Sequence, residues 1–304
     1  MTGLTDYISE CPWVDIFLIW YVLIDEAYQE LEGVHGPWRR RGPEPRFSDS
    51  EVITVALIIE TYFAGHEELG LSFLNHYHRD LFPQLLDQSR FNRRRRELRL
   101  VIEQVRQLLT APLLDPEDRV RILDSAPIPA CTYHRSNDCQ TVSGPEYASV
   151  MASKGGKLYG HRFYATITHS QLIDRWMLAP AAPREGKLSP AFFQDQSHLW
   201  ILADNGFHAP TEMQWLAQTR DIDLITARRH TDHEQWVKPF RRLLDRLRRR
   251  IETAFSVLTT VFHLEAPGSR SLTGLIARIA TSVLAYNLSF LTNIELSKLY
   301  ETSN

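Results

Sequence analysis

Three acidic side chains carry the clearest chemistry in this sequence. Asp124 closes the apolar run Val120-Arg-Ile-Leu-Asp124, Asp204 closes Leu199-Trp-Ile-Leu-Ala-Asp204, and Glu252 stands inside an arginine-rich stretch. Carboxylate oxygens are hard donors that suit divalent cations. A pair of Mg²⁺ ions about 3.5–4 Å apart can activate the attacking oxygen of a phosphodiester displacement and stabilise the leaving one. Two acids at strand ends and one on a helix therefore point to a metal site that cuts DNA.

Each acid also has an ordinary alternative. Asp124 precedes Ser125-Ala126-Pro127 and Asp204 precedes Asn205-Gly206, so either could simply form a turn. The carboxyl ends of strands are equally where α/β folds collect their functional groups. With Ile251 at zero and about 100° per residue, Phe240, Leu244, Leu247, Ala254, Phe255, Leu258 and Phe262 fall within about 60° and form a stripe to be buried. Glu252 lies on its shoulder at about +100°, near Arg248 at about +60°, Arg241 at about +80° and Asp245 at about +120°. From there it can face a strand-edge site, or pair routinely with Arg248 for about a few tenths of a kcal/mol. Periodicity alone does not choose.

The elements that must position these acids follow from pattern. Phe47-Ser48-Asp49-Ser50-Glu51-Val52 combines a capping box at Ser48 and Glu51 with a hydrophobic staple of Phe47 and Val52, and predicts a helix running to Tyr62. A further helix is expected from Ser89, with Phe91, Leu98, Val101, Val105 and Leu108 on one face and Arg93 and Arg96 away from it. Pro112 and Pro116 set the expected boundary between a helical domain, residues 1–115, and a second domain, residues 116–304. Beyond it, β-like runs at 120–128, 162–168, 172–179, 199–203 and 222–227 are joined by helices at Pro210–Arg220 and Phe240–Phe262. That order is the one expected of a ribonuclease-H-like α/β domain. The polar segment 131–156 is expected to be a loop or mobile hairpin over the site. The apolar helix from Ser271 to Leu291 is expected to pack the second domain shut.

Composition bounds the partners. The 304 residues carry a net charge of −3, but residues 90–106 hold +5 and residues 228–250 hold +6, and arginine outnumbers lysine 29 to 5. Guanidinium forks suit phosphates and guanine edges, so two such runs favour DNA over plain solvated faces. Cys11, Cys131 and Cys139 offer neither a Cys-x-x-Cys pair nor an even disulfide set, which fits a reducing cytoplasm. No apolar run reaches membrane-spanning length and no signal peptide is visible. His76 and His78, two apart on a helix, cannot easily share a metal. Ser125 lacks a nucleophile elbow. Gly155-Gly156-Lys157 lacks the rest of a phosphate loop.

The ordered blocks Leu123-Asp124-Ser125-Ala126-Pro127, Tyr159-Gly160-His161-Arg162-Phe163, Ala203-Asp204-Asn205-Gly206-Phe207, Arg249-Arg250-Ile251-Glu252-Thr253-Ala254-Phe255-Ser256 and Ser269-Arg270-Ser271 resemble the DDE transposases of bacterial insertion sequences, nearest the family numbered nine-eight-two. The resemblance implies that Asp124, Asp204 and Glu252 are the catalytic, metal-binding acids of a ribonuclease-H-like core, preceded by an all-helical DNA-binding domain. It implies two Mg²⁺ ions, with Mn²⁺ able to substitute, and double-stranded DNA as partner, both terminal inverted repeats and target. A homodimer in the cytoplasm at the nucleoid, with no membrane association, completes the expectation. Arg90, Arg93, Arg94, Arg96, Lys157, Arg241, Arg248 and Arg249 are the expected DNA contacts. Asn205, Phe207, Asp245 and Thr259 depart from the residues common in related enzymes, whereas Arg248 is kept. Rival readings are a non-cleaving DNA-binding descendant and a metal-dependent nuclease without strand transfer.

Overall fold

The computed structural model describes residues 13–38, 42–43, 45–151, 156–228 and 235–301. Cys11 and Gly155 lie outside the described residues. The chain divides into two compact units: the N-terminal helices up to Leu113 together with the chain from Thr260 onward, and Leu114–Thr259.

The first unit opens with α1 (Trp13–His35), α2 (Asp49–Tyr62), α3 (Glu67–Tyr77), α4 (Gln88–Glu97) and α5 (Arg99–Thr110). The capping box starts α2 as its sequence requires: Ser48 Oγ accepts the Glu51 N–H at 3.1 Å and the Glu51 carboxylate accepts the Ser48 N–H. Phe47 and Val52 are both buried, which closes the staple. The helix expected from Ser89 is two helices. Asp87 caps the first, and at Leu98 the backbone turns to φ −78°, ψ 1° before α5 begins. The apolar face survives the break, with Phe91, Leu98, Val101 and Val105 all buried. His78 packs edge-on against Phe17, and His76 against Tyr77, as bundle residues.

The second unit is built on a mixed sheet. Its strands are β1 (Val120–Pro129), β2 (Ala148–Met151), β3 (Gly156–Ile167), β4 (Ile173–Pro180), β5 (Leu199–Ala203) and β6 (Ile222–Thr226). The helices are the short α6 (Ser189–Phe192), α7 (Pro210–Arg220) and α8 (Lys238–Thr260). β3 is antiparallel to β1, β2 and β4, whereas β1, β5 and β6 run parallel in that order. Neighbouring residues of β3 point to opposite faces. Tyr164 enters a core with Phe192, Phe193, Phe207, Leu216 and Leu224, which seats α6 and α7. Phe163 meets Trp176 and Phe255, which seats α8 on the other face. The buried residues of α8, Leu244, Ile251, Ala254, Phe255 and Leu258, lie on the stripe that helical periodicity defines. Helix, mixed sheet and helix fit a ribonuclease-H-like core. The segment 131–156, expected as a loop or hairpin, contains helical turns at Tyr133–Asp138 and Pro145–Tyr147 and the strand β2 paired to β3.

The C-terminal helix α9 (Leu272–Glu301) corrects the expected domain organisation. It groups with the first unit, where it packs on α2, α4 and α5. Ala277, Ile279, Ala280, Val283, Leu284, Ala285 and Leu288 are all buried, and a helix apolar around most of its circumference is the centre of a bundle. By length and composition Leu272–Thr292 could cross a bilayer, but most of it is covered by its own unit. Charge is buried with it. Glu60, fully buried, accepts hydrogen bonds from Arg278 Nε at 3.1 Å and Ser282 Oγ at 2.9 Å, with Arg95 Nη1 at 3.9 Å. Removing Arg278 would leave the buried Glu60 charge with only the longer Arg95 contact and the Ser282 hydroxyl. Arg278→Ala should therefore lower the unfolding free energy of this unit by about 3–5 kcal/mol, read by urea denaturation.

Candidate active site

β1 and β5 are parallel neighbours in a register that pairs Val120 with Trp200 and Leu123 with Ala203. The next residue on each strand is an acid. Asp124 and Asp204 thus leave the same end of adjacent strands, whose spacing in a sheet is about 4.8 Å. β5 stops at Ala203 while β1 runs on to Pro129 against β3, so Asp124 lies where β1 loses its β5 neighbour. Both acids are half-buried. Asp124 Oδ1 accepts the Ser125 N–H at 2.8 Å, and Asp204 Oδ1 caps the turn Asn205–Phe207 through the Gly206 N–H at 2.8 Å. The Asn205 side chain ties that turn to the Ala227 carbonyl at 2.9 Å.

Burial pushes the Asp124 carboxyl up to about 7, and the charges of Asp204 and Glu185 push the same way, against the Ser125 N–H and Arg248. The charge of Arg248 therefore acts at Asp124 from α8. Glu252 stands one helical turn further along the same side of α8, exposed. It forms no ion pair with Arg248. Among the described residues no three His, Cys, Asp or Glu side chains are gathered closely enough to cage a metal. The structure brings Asp124 and Asp204 to the point where the β1–β5 ladder stops and the charge of Arg248 to bear on Asp124, and leaves Glu252 on helix α8.

A fourth carboxylate is present that sequence reasoning missed. Glu185, which follows β4, accepts from Ser125 Oγ at 2.5 Å and from Arg162 Nη1 at 2.9 Å. No motif flanks it. Its signal is positional: it comes shortly after the third β run, as Asp204 directly follows the fourth. Ser125 Oγ donates to this carboxylate and accepts from Arg162 Nη1 at 3.5 Å.

The model of the transposase DDE domain matches residues 115–288, more than half of the chain. This chain belongs to the DDE transposase family. The catalytic class is therefore DNA transposition, and DNA is its partner. No curated protein is significantly similar to the transposase. A solved structure, the Mos1 transposase paired-end complex with left transposon end, aligns over 78% of this chain and 85% of its own at 11% identity and a TM-score of 0.21, an overlap too slight to support an argument.

The basic residues of the transposase divide into two kinds. Arg94 does not stand ready for DNA: its guanidinium bonds the Phe47 carbonyl and the Asp49 carboxylate inside the helical unit. Arg90 pairs with Asp87 at 3.3 Å on the surface, and Arg93 is exposed beside it. Both line a cleft of about 820 Å³ with Arg46 and Arg79. Arg96 is half-buried, its Nε donating to the Asn92 carbonyl at 3.4 Å. In the sheet unit Arg241 and Arg249 are exposed on α8, and Lys157 lies 5.0 Å from the Tyr133 ring on the β2–β3 arm.

The donor set suits a hard cation. Asp124 is buried among like-charged carboxylates, all oxygen donors, a grouping that a divalent cation would neutralise. The same repulsion weakens the protein without metal. Because Asp124 is raised above its ordinary value of 3.8 to about 7, the folded state keeps a proton in that window that the unfolded chain has released, and stability falls as pH rises through it. Asp124→Asn should be about 1–2 kcal/mol more stable than the parent at pH 8 without metal, the full shift being discounted for partial exposure. The gain should vanish as pH falls toward 4, a trend thermal melting across pH would display.

Proposed function

We propose that this DNA transposase cuts transposon ends and joins the freed 3′-hydroxyl to target DNA at one site built from Asp124, Asp204 and Glu252. The observation that carries the reading is the β1–β5 register, which puts an acid on each strand directly after the last paired residue, with the charge of Arg248 on the basic helix α8 acting at Asp124. Asp124, Asp204 and Glu252 would be the residues that hold the divalent cations, Mg²⁺ in the first place. When bound, the cations supply Lewis-acid activation of the attacking oxygen and neutralise charge at the leaving oxygen, and Mn²⁺ can substitute for Mg²⁺.

The protein's own side chains do the positioning. Arg248, whose charge already acts at Asp124, lies where it can hold the scissile phosphate, and the exposed Arg241 and Arg249 extend that basic face along the DNA backbone. Lys157 on the β2–β3 arm, and Arg90, Arg93 and Arg96 on α4, contribute further phosphate contacts, the latter giving the helical unit its part in end recognition. Two ends must be held for joining, which makes a homodimer the working assembly. The reaction takes place on DNA in the cytoplasm.

Asp124→Ala, Asp204→Ala and Glu252→Ala should each lower Mg²⁺-dependent cleavage of end-containing DNA by at least about two orders of magnitude while end binding persists. A fully active single variant removes that acid from the site. Cleavage without any joined product would identify a nuclease instead of a transposase. Arg249→Ala should leave cleavage chemistry in place but reduce the slope of log binding constant against log salt by about 1, measured by titration at several salt concentrations.

A further inference from the structure

We propose that Glu185 is a positioning residue of this transposase, the tie that joins the stretch of β1 bearing Asp124 to the turn bearing Asp204. The inference rests on the reading of those two aspartates as catalytic acids. Sheet pairing between β1 and β5 ends at Leu123 and Ala203, one residue short of both acids. Asp124 stays on the β1–β3 ladder opposite Ala165, so it is the Asp204 turn, beyond the end of β5, that needs a further tie. On one side, Glu185 Oε1 accepts from Ser125 Oγ at 2.5 Å, immediately after Asp124 on the chain. On the other, Glu185 Oε2 lies against Gly206: a Cβ placed there would stand 2.0 Å from it and 3.0 Å from Asp204 Oδ1. A side chain at 206 would thus push the two carboxylates from their places.

The opposite glycine repeats the fit. A Cβ on Gly186 would meet the Phe207 carbonyl oxygen at 2.5 Å and Ala209 Cβ at 2.7 Å. The backbones at 185–186 and 206–209 therefore interlock through two residues that have no side chain. Arg162 from β3 completes the arrangement, its Nη1 donating to Glu185 Oε1 at 2.9 Å. Without this guanidinium a third carboxylate beside two others would drift away by repulsion. Glu185 is largely buried, with its side chain 19% exposed, so these charge-assisted bonds act with little solvent screening. The Asp204 turn, Glu185 and the Ser125 step of β1 thus bear directly on one another. The contacts define a clamp whose purpose is the spacing of two like-charged acids.

The test uses the full chain in three assays: end binding by gel shift, cleavage rate against Mn²⁺ concentration, and Mn²⁺ binding without DNA by calorimetry. Glu185→Ala should retain end binding and a cooperative melting transition, yet weaken Mn²⁺ binding and cleavage by about 10- to 100-fold, the loss typical of groups that orient metal ligands. Ser125→Ala should move both in the same direction by less, and Ser125→Ala combined with Glu185→Ala should be no worse than Glu185→Ala alone, because both cut one connection. Should Glu185→Ala fail to melt cooperatively, Gly206→Ala displaces the carboxylate without removing it and should give the same Mn²⁺ weakening. Wild-type Mn²⁺ affinity and cleavage in Glu185→Ala, alongside inert Asp124→Ala and Asp204→Ala, would overturn the clamp and leave the aspartates standing. Retained cleavage in the aspartate variants as well would overturn the underlying site reading, and the clamp with it.

Discussion

Asp124 within β1 and Asp204 just past the end of the parallel strand β5, partly out of water and with a third carboxylate nearby, are a standing electrostatic conflict. Burial and the charges of Asp204 and Glu185 both oppose ionisation of Asp124. Proteins tolerate such groupings where a cation is to be received, because the repulsion that destabilises the empty site becomes attraction when the ion arrives. The surrounding structure answers this conflict. Arg248 brings a positive charge from α8, Arg162 holds Glu185, and the β1–β5 ladder sets the spacing of the strand ends. The apolar layers on the two faces of the sheet, around Tyr164 and around Phe163, supply the rigidity against which the acids can be kept together.

The helical unit puts charge to a different use. Arg106 is almost fully buried against Glu103, Arg94 is bonded to Asp49 and the Phe47 carbonyl, and Arg278 reaches Glu60 and two backbone carbonyls. Guanidinium groups satisfy several acceptors in fixed directions, so they can tie a bundle together at points where loops cross helices. An arginine-rich stretch is therefore not a count of DNA contacts. Within α4 alone, Arg94 and Arg95 turn inward while Arg93 faces solvent.

Much of the architecture was legible in advance because it rests on local rules. The capping box at Ser48 and Glu51 needs only four residues to operate, and it forms as written. The β run 199–203 and the helix 210–220 coincide with the observed elements. The stripe of α8 is periodic enough that its buried face could be computed. The break at Leu98 was not legible, since the apolar face continues across it with almost unchanged period. The placement of α9 was misjudged for a related reason: an apolar helix declares that it will be buried but not against what. Glu185 escaped notice because it sits in an irregular segment where no period or motif sets one acid apart from its neighbours.

By itself the chain determined many of the elements, their order, and that Asp204 would close a strand, because hydrogen-bond capping and hydrophobic period act over a few residues; Asp124, expected at a strand end as well, lies inside β1. The tertiary structure decided which ends adjoin: the parallel register sets Asp124 beside Asp204 although about eighty residues separate them. It also decided that Glu185 joins them, that Arg94 is internal, and that the last helix belongs with the first ones. Each of these depends on contacts between residues distant along the chain, whose partners are selected by packing and charge compensation in three dimensions.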